Sequence, residues 1–192
     1  MKKIYLIIIL LISSKISAQE FNNKIFFENF VECYYSKNLN EPILIYKYPN
    51  GILIHELKPL INDSSWYKFA ISESKSGWLK IENILILPEC NDRQFNNNFE
   101  QYKGNWILAK NLKINISDLD VESRSLIKFF ENPNLNSNIV YKSDKFLETE
   151  LIEIIGLWAK VNFVINGVSM SGWLQRKDQC AYPWTSCPFQ SE

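Results

Sequence analysis

The residues whose types could do covalent chemistry are four cysteines, one histidine and a few close-set carboxylates. A cysteine nucleophile needs a thiolate beside a base, and His55 is the only histidine. His55 stands in the run 52–57, where apolar and polar residues alternate, so it falls on the polar face of a strand. Glu148, Glu150 and Glu153 could serve glycoside hydrolysis, for which two acids roughly 5–9 Å apart suffice. Their alternation with apolar residues reads instead as the exposed face of a strand. No Gly-x-Ser-x-Gly elbow, His-Glu-x-x-His pair, phosphate loop or Gly-x-Gly-x-x-Gly turn occurs. Zinc would need a Cys-x-x-Cys pair or a second histidine, and neither is present. The expectation is a non-enzyme with no cofactor and no metal. What remains is binding chemistry, because aromatics make up 14% of the chain and include six tryptophans. Tyr48, Trp66, Phe130 and Trp158 are the candidate flat surfaces for a ligand.

The first residues bear on the cysteines. Lys2 and Lys3 precede an uncharged apolar run from Ile4 to Ile12, followed by Ser13, Ser14, Lys15, Ile16, Ser17 and Ala18. That order of basic, apolar and small residues is a secretory signal peptide over 1–18. A membrane anchor would need about 20 apolar residues, and Lys15 interrupts this run too early. No cysteine lies near the cut to accept a lipid, so the expectation is a periplasmic or secreted product with no membrane span after processing. Removing Lys2, Lys3 and Lys15 turns 21 basic against 21 acidic residues into 18 against 21, a net charge of about −3. Such a surface argues against a nucleic-acid partner.

In an oxidising destination four cysteines read as two disulfides. Cys180 and Cys187 bracket a short loop containing Tyr182 and Trp184, and closing eight residues is worth about 2.5 kcal/mol. The remaining pair, Cys33 with Cys90, closes 58 residues for about 4 kcal/mol. Four cysteines allow three connectivities, and spacing favours this one.

Around these residues the chain alternates short runs rich in Ile, Val, Phe, Tyr and Trp with clusters of Asn, Gly, Pro and Ser. That pattern predicts strands over 43–47, 52–57, 66–71, 77–81, 84–87, 106–109, 126–130, 138–142, 150–157, 158–165 and 168–175. The offsets of Phe26, Phe27, Phe30, Val31 and Tyr34 also allow a helix over 24–35. The runs repeat. An apolar strand at Ile43 meets Pro49-Asn50, Trp66 begins a Trp-x-Lys-hydrophobic strand, and Ser76-Gly77-Trp78-Leu79 closes the unit. In the second copy Leu126 leads to Pro133-Asn134, Trp158 begins the Trp-x-Lys-hydrophobic strand, and Ser171-Gly172-Trp173-Leu174 closes. Trp66 is thereby matched with Trp158 as a groove position and Trp78 with Trp173 as core. A glycine before each closing tryptophan allows a bulge or a close backbone approach. Trp106-Ile107 with Asn111 echoes the closing motif, which suggests a strand joining the copies.

These motifs resemble the bacterial SH3-like domain in tandem. Trp66-Tyr67-Lys68-Phe69 with Gly77-Trp78-Leu79, and Trp158-Ala159-Lys160-Val161 with Gly172-Trp173-Leu174, are similar to that family's closing pattern. The resemblance implies an all-β chain of two small SH3-like barrels, with an N-terminal extension and a disulfide-closed C-terminal loop. The expected division is 1–18 as signal peptide, 19–90 as extension and first domain, and 91–192 as linker strand and second domain. It also implies a non-catalytic binding module whose aromatic grooves recognise cell-envelope material such as peptidoglycan peptides. The alternative is a periplasmic interaction or inhibitor protein that meets an envelope protein through Tyr182 and Trp184.

Overall fold

In the computed structural model the described residues are 29–36, 41–58, 60, 65–87, 99–116 and 126–183. The expected signal peptide, Cys90, Trp184 and Cys187 lie outside them. Alternating and β-branched runs form twelve strands: β1 Val31–Tyr35, β2 Ile43–Tyr46, β3 Leu53–Leu57, β4 Trp66–Lys75, β5 Trp78–Leu87, β6 Trp106–Leu108, β7 Leu112–Ile116, β8 Ile127–Phe130, β9 Ile139–Ser143, β10 Leu147–Ile155, β11 Trp158–Ile165 and β12 Val168–Leu174. No α-helix occurs among the described residues, and none of their helices is long and apolar enough to cross a membrane. Val31–Tyr35, within the expected helix, is a strand with all five residues buried. Helical spacing of aromatics was a poor guide there, because burial on both faces erases the alternation that marks a strand.

All twelve strands belong to one antiparallel sheet in the order β3-β2-β6-β5-β4-β1-β7-β10-β11-β12-β8-β9. Read from either end the sequence of connections is the same, so β1 to β6 and β7 to β12 are two copies of a six-strand unit. Irregularities fall at matching places. A register shift opposite Ile45/Tyr46 recurs opposite Phe129/Phe130, and the bulge before Glu73 recurs before Glu153. Bulges bend the strands that carry them. The bend separates the part of β4 paired with β1 from the part paired with β5 alone, and it separates the corresponding parts of β10.

This pairing corrects the repeat register. Trp78 corresponds to Trp158, since each opens the strand after a tight turn: Lys75 faces Trp78 and Ile155 faces Trp158. Trp106 corresponds to Trp173, facing Lys80 and Lys160 respectively. The strand expected to join the copies, β6, is therefore the closing strand of the first, hydrogen-bonded between β2 and β5. The two glycines before tryptophan also differ in purpose. Ser76 and Gly77 both have positive φ (49° and 80°), the conformation a two-residue hairpin turn requires. Gly172 lies in a strand, and a Cβ there would approach the Phe129 Cβ to 2.8 Å.

The core is a continuous cluster running through both copies, from Val31, Ile45, Phe69 and Leu79 to Ile114, Phe129, Val161 and Leu174. Within it β1 and β7 form the central pair, joined at Tyr34–Lys113 and Tyr35–Leu112. The copies meet again where Ser74 Oγ donates to the Ile154 carbonyl (3.0 Å) and accepts from the Ile154 N–H (2.9 Å). The described residues from Asn29 onward group as one unit.

Candidate functional site

Alternation along each strand sends one set of side chains into the core and the other to the outer face of the sheet. In the first copy Ile45, Leu79 and Ile107 point inward, which leaves Tyr46, Trp78, Lys80 and Trp106 on the outer face. Tyr46 meets Trp78 edge to face at 4.9 Å, and the Lys80 ammonium lies 5.9 Å from the Trp106 ring centre. In the second copy Phe130, Trp158, Lys160 and Trp173 take the same positions. Phe130 meets Trp158 edge to face at 5.5 Å, and Lys160 lies 5.8 Å from the Trp173 ring centre. Edge-to-face pairs and a lysine over an indole are each worth about 0.5–1.5 kcal/mol beyond burial. Two stiff clusters result, one per copy. Trp78, Trp106, Phe130 and Trp173 are buried in them, while Tyr46, Trp158 and both lysines reach solvent.

Tyr48 is 51% exposed at the tip of the β2–β3 hairpin. Pro49 and Asn50, whose φ is 56°, fill the central positions of a turn closed by the Gly51 N–H to Tyr48 carbonyl bond of 2.9 Å. The ring folds back onto Gly51, where a Cβ would lie 2.3 Å from it. Tyr48 and Trp158 are thus open, as a ligand surface requires.

Trp66 is different. It is 2% exposed, and its ring packs edge to face on Tyr182 at 5.8 Å. The expected groove position is interior, because Trp66 opens β4 beside the central pair and not the outer edge of a copy. Tyr182, expected as an exposed anchor, is itself only 4% exposed. Its ring lies beneath the Lys68 ammonium at 5.3 Å, and burial raises its hydroxyl pKa to about 12. Its carbonyl accepts from Asn115 Nδ2 (2.7 Å), and the Asn115 Oδ1 accepts from the Tyr34 hydroxyl (2.9 Å).

Lys68 and Glu32 form a buried ion pair at 2.7 Å, and Arg176 reaches the other Glu32 oxygen at 2.7 Å. Lys68 is 0% exposed; desolvation lowers its pKa, opposed by the Glu32 charge. No motif announced this cluster. Its members come from β1, β4 and the turn after β12, and only the pairing brings them together.

The cysteines divide otherwise than expected. Cys33 is a free thiol buried in β1, so the Cys33–Cys90 pairing does not hold. Cys33 faces Phe69 across β4 in the sealed central pair, and burial pushes its pKa well above the ordinary thiol range. Cys180 is disulfide-bonded, with its partner outside the described residues. His55 packs on Tyr102 at 4.9 Å, and Glu148 pairs with Lys113. Glu150 and Glu153 face Asn162 and Lys160 across β11. A further pocket of about 70 Å³, lined by Tyr35, Glu41, Pro42, Ile43, Lys110 and Asn111 among others, is far below the size of a ligand cavity.

No protein-family model and no curated protein matches the sequence. Among solved structures, NlpC1 from Trichomonas vaginalis matches with a TM-score of 0.31 and 10% identity, over 80% of this chain and 46% of that one. The chain thus spans less than half that protein's length, and a likeness so slight carries no fold or function across.

Proposed function

We propose that the chain is an exported, non-catalytic binding module that recognises peptide of the cell envelope through the two outer aromatic faces. Each six-strand copy is read as an SH3-like barrel, and the disulfide of Cys180 as the closure of the C-terminal loop with Cys187. The observation that carries the reading is the duplication itself. Tyr46–Trp78–Lys80–Trp106 and Phe130–Trp158–Lys160–Trp173 occupy matching registers on the face away from the core. A rigid aromatic surface presenting open edges binds an extended chain at little entropic cost. Two such faces on one body raise overall avidity without either needing high affinity.

Catalysis finds less support. The Cys33 thiol is sealed and resists ionisation, which disfavours a nucleophile. The burial of Tyr182 weakens the alternative of a partner-binding loop built on Tyr182 and Trp184.

Retention on purified peptidoglycan sacculi tests the reading. Trp158→Ala and Tyr46→Ala should each weaken retention, and the double variant should weaken it far more than either. Absence of retention of the unmodified protein would overturn it.

A further inference from the structure

The matched registers allow the two outer faces to be compared position by position. Leu44 corresponds to Lys128 and Glu56 to Lys142, because Leu44 faces Glu56 exactly as many residues before the bulge as Lys128 faces Lys142. At this facing pair of positions the first copy therefore holds one negative charge, on Glu56. The second holds two positive charges there, on Lys128 and Lys142.

Pairing widens the difference. Lys80 is bridged to Glu73 at 3.2 Å. Among the described residues no salt bridge engages Lys128, Lys142 or Lys160. Asp178 lies near enough to Lys128 and Lys177 to feel both charges, but burial raises its pKa against them. Two lysines directly opposite each other on neighbouring strands repel, and a sheet gains nothing in stability from that arrangement. Lys128 stands two residues from Phe130 on the same side of β8, so the opposed pair flanks the aromatic cluster.

We infer that the outer face of the second copy binds carboxylate-bearing peptide, with Lys128, Lys142 and Lys160 holding the carboxylates and Trp158 contacting the chain between them. The first copy, with Leu44 and Glu56 in place of the two lysines, takes the uncharged stretch of a ligand. This rests on the reading of the aromatic faces as binding surfaces and names the chemistry that distinguishes them.

The test uses the processed full-length protein, an octapeptide of alternating glycine and glutamate, and its glutamine counterpart, followed by tryptophan fluorescence. At low salt the acidic peptide should bind about tenfold more tightly than the neutral one, and the advantage should fade as salt rises. Lys128→Gln with Lys142→Gln should remove about tenfold of that affinity and flatten the salt dependence. Leu44→Lys with Glu56→Lys should create a second salt-sensitive site. Equal binding of the two peptides, or a double variant indistinguishable from the unmodified protein, overturns the inference. Sacculi whose carboxylates have been amidated separate the two readings. Equal retention on native and amidated sacculi sinks the charge assignment alone, while discrimination between the peptides without any retention on native sacculi sinks the envelope reading alone.

Discussion

One slot in the sheet holds an ion pair in each copy, with the charges exchanged. Glu32 on β1 bridges Lys68 on β4, and in the corresponding positions Lys113 on β7 bridges Glu148 on β10. The first pair is buried under Tyr182 and completed by Arg176; in the second, Glu148 is 51% exposed. Equal geometry with unequal burial shows what the C-terminal segment does. It covers one copy of the slot and leaves the other in water, which turns a weak surface contact into a costly one to break.

The largest effects should fall on both copies alike. Trp106→Ala and Trp173→Ala each remove a buried indole and should each cost about 3–5 kcal/mol in urea unfolding. A large difference between them would mean that the corrected register does not carry equal packing. The ion pairs should then split the copies. Glu32→Gln removes the charge that buried Lys68 and partly buried Arg176 both contact and should cost about 3–5 kcal/mol, while Glu148→Gln should stay within about 1 kcal/mol. Equal losses would show that the cover over Lys68 does not exclude water.

Alkali gives a graded version of the same contrast. Tyr67 and Tyr182 have pKa values raised by burial from 10.0 to about 12. Between those values the unfolded chain gives up phenolic protons that the folded chain keeps, so stability should fall as pH rises from 10 toward 12. Phenolate absorbance and circular dichroism recorded together would check that these tyrosines ionise only as the sheet is lost. Smaller still is the effect at Gly51. Gly51→Ala should cost only about 1 kcal/mol, since the exposed Tyr48 ring can swing aside, but it should displace the ring and lower sacculus retention. Lastly, Cys33 should resist alkylation in the native protein and become reactive after denaturation without reductant.

Strands and turns were legible because their signals are local. Pro49-Asn50 and Ser76-Gly77 state a turn in adjacent residues, and Ile43 to Tyr46 is an apolar run the length of a strand. The repeat was visible but misaligned by one strand, since Trp-x-Lys-hydrophobic describes both Trp66–Phe69 and Trp78–Ile81. Only hydrogen-bond register tells them apart. Tyr48 and Trp158 stood out as aromatics beside turns and do reach solvent, whereas Phe130, expected with them, is only 3% exposed, and Lys80, Trp106 and Lys160 come to the outer face through neighbouring strands far apart in the chain. The Glu32–Lys68–Arg176 cluster was illegible for the same reason, its members lying up to 144 residues apart.

The exchanged ion pair also limits how such a molecule can be assembled. If two identical chains of six strands met across the central β1–β7 pair, positions 32 and 113 would hold one residue type, as would positions 68 and 148. Such a homodimer could still carry an ion pair at each slot, but both pairs would have the same polarity and the same cover. Linking the halves in one polypeptide releases that constraint. Each side can then change without its twin, which is how one sheet comes to have a sealed slot on one half and a facing pair of lysines, Lys128 and Lys142, on the other.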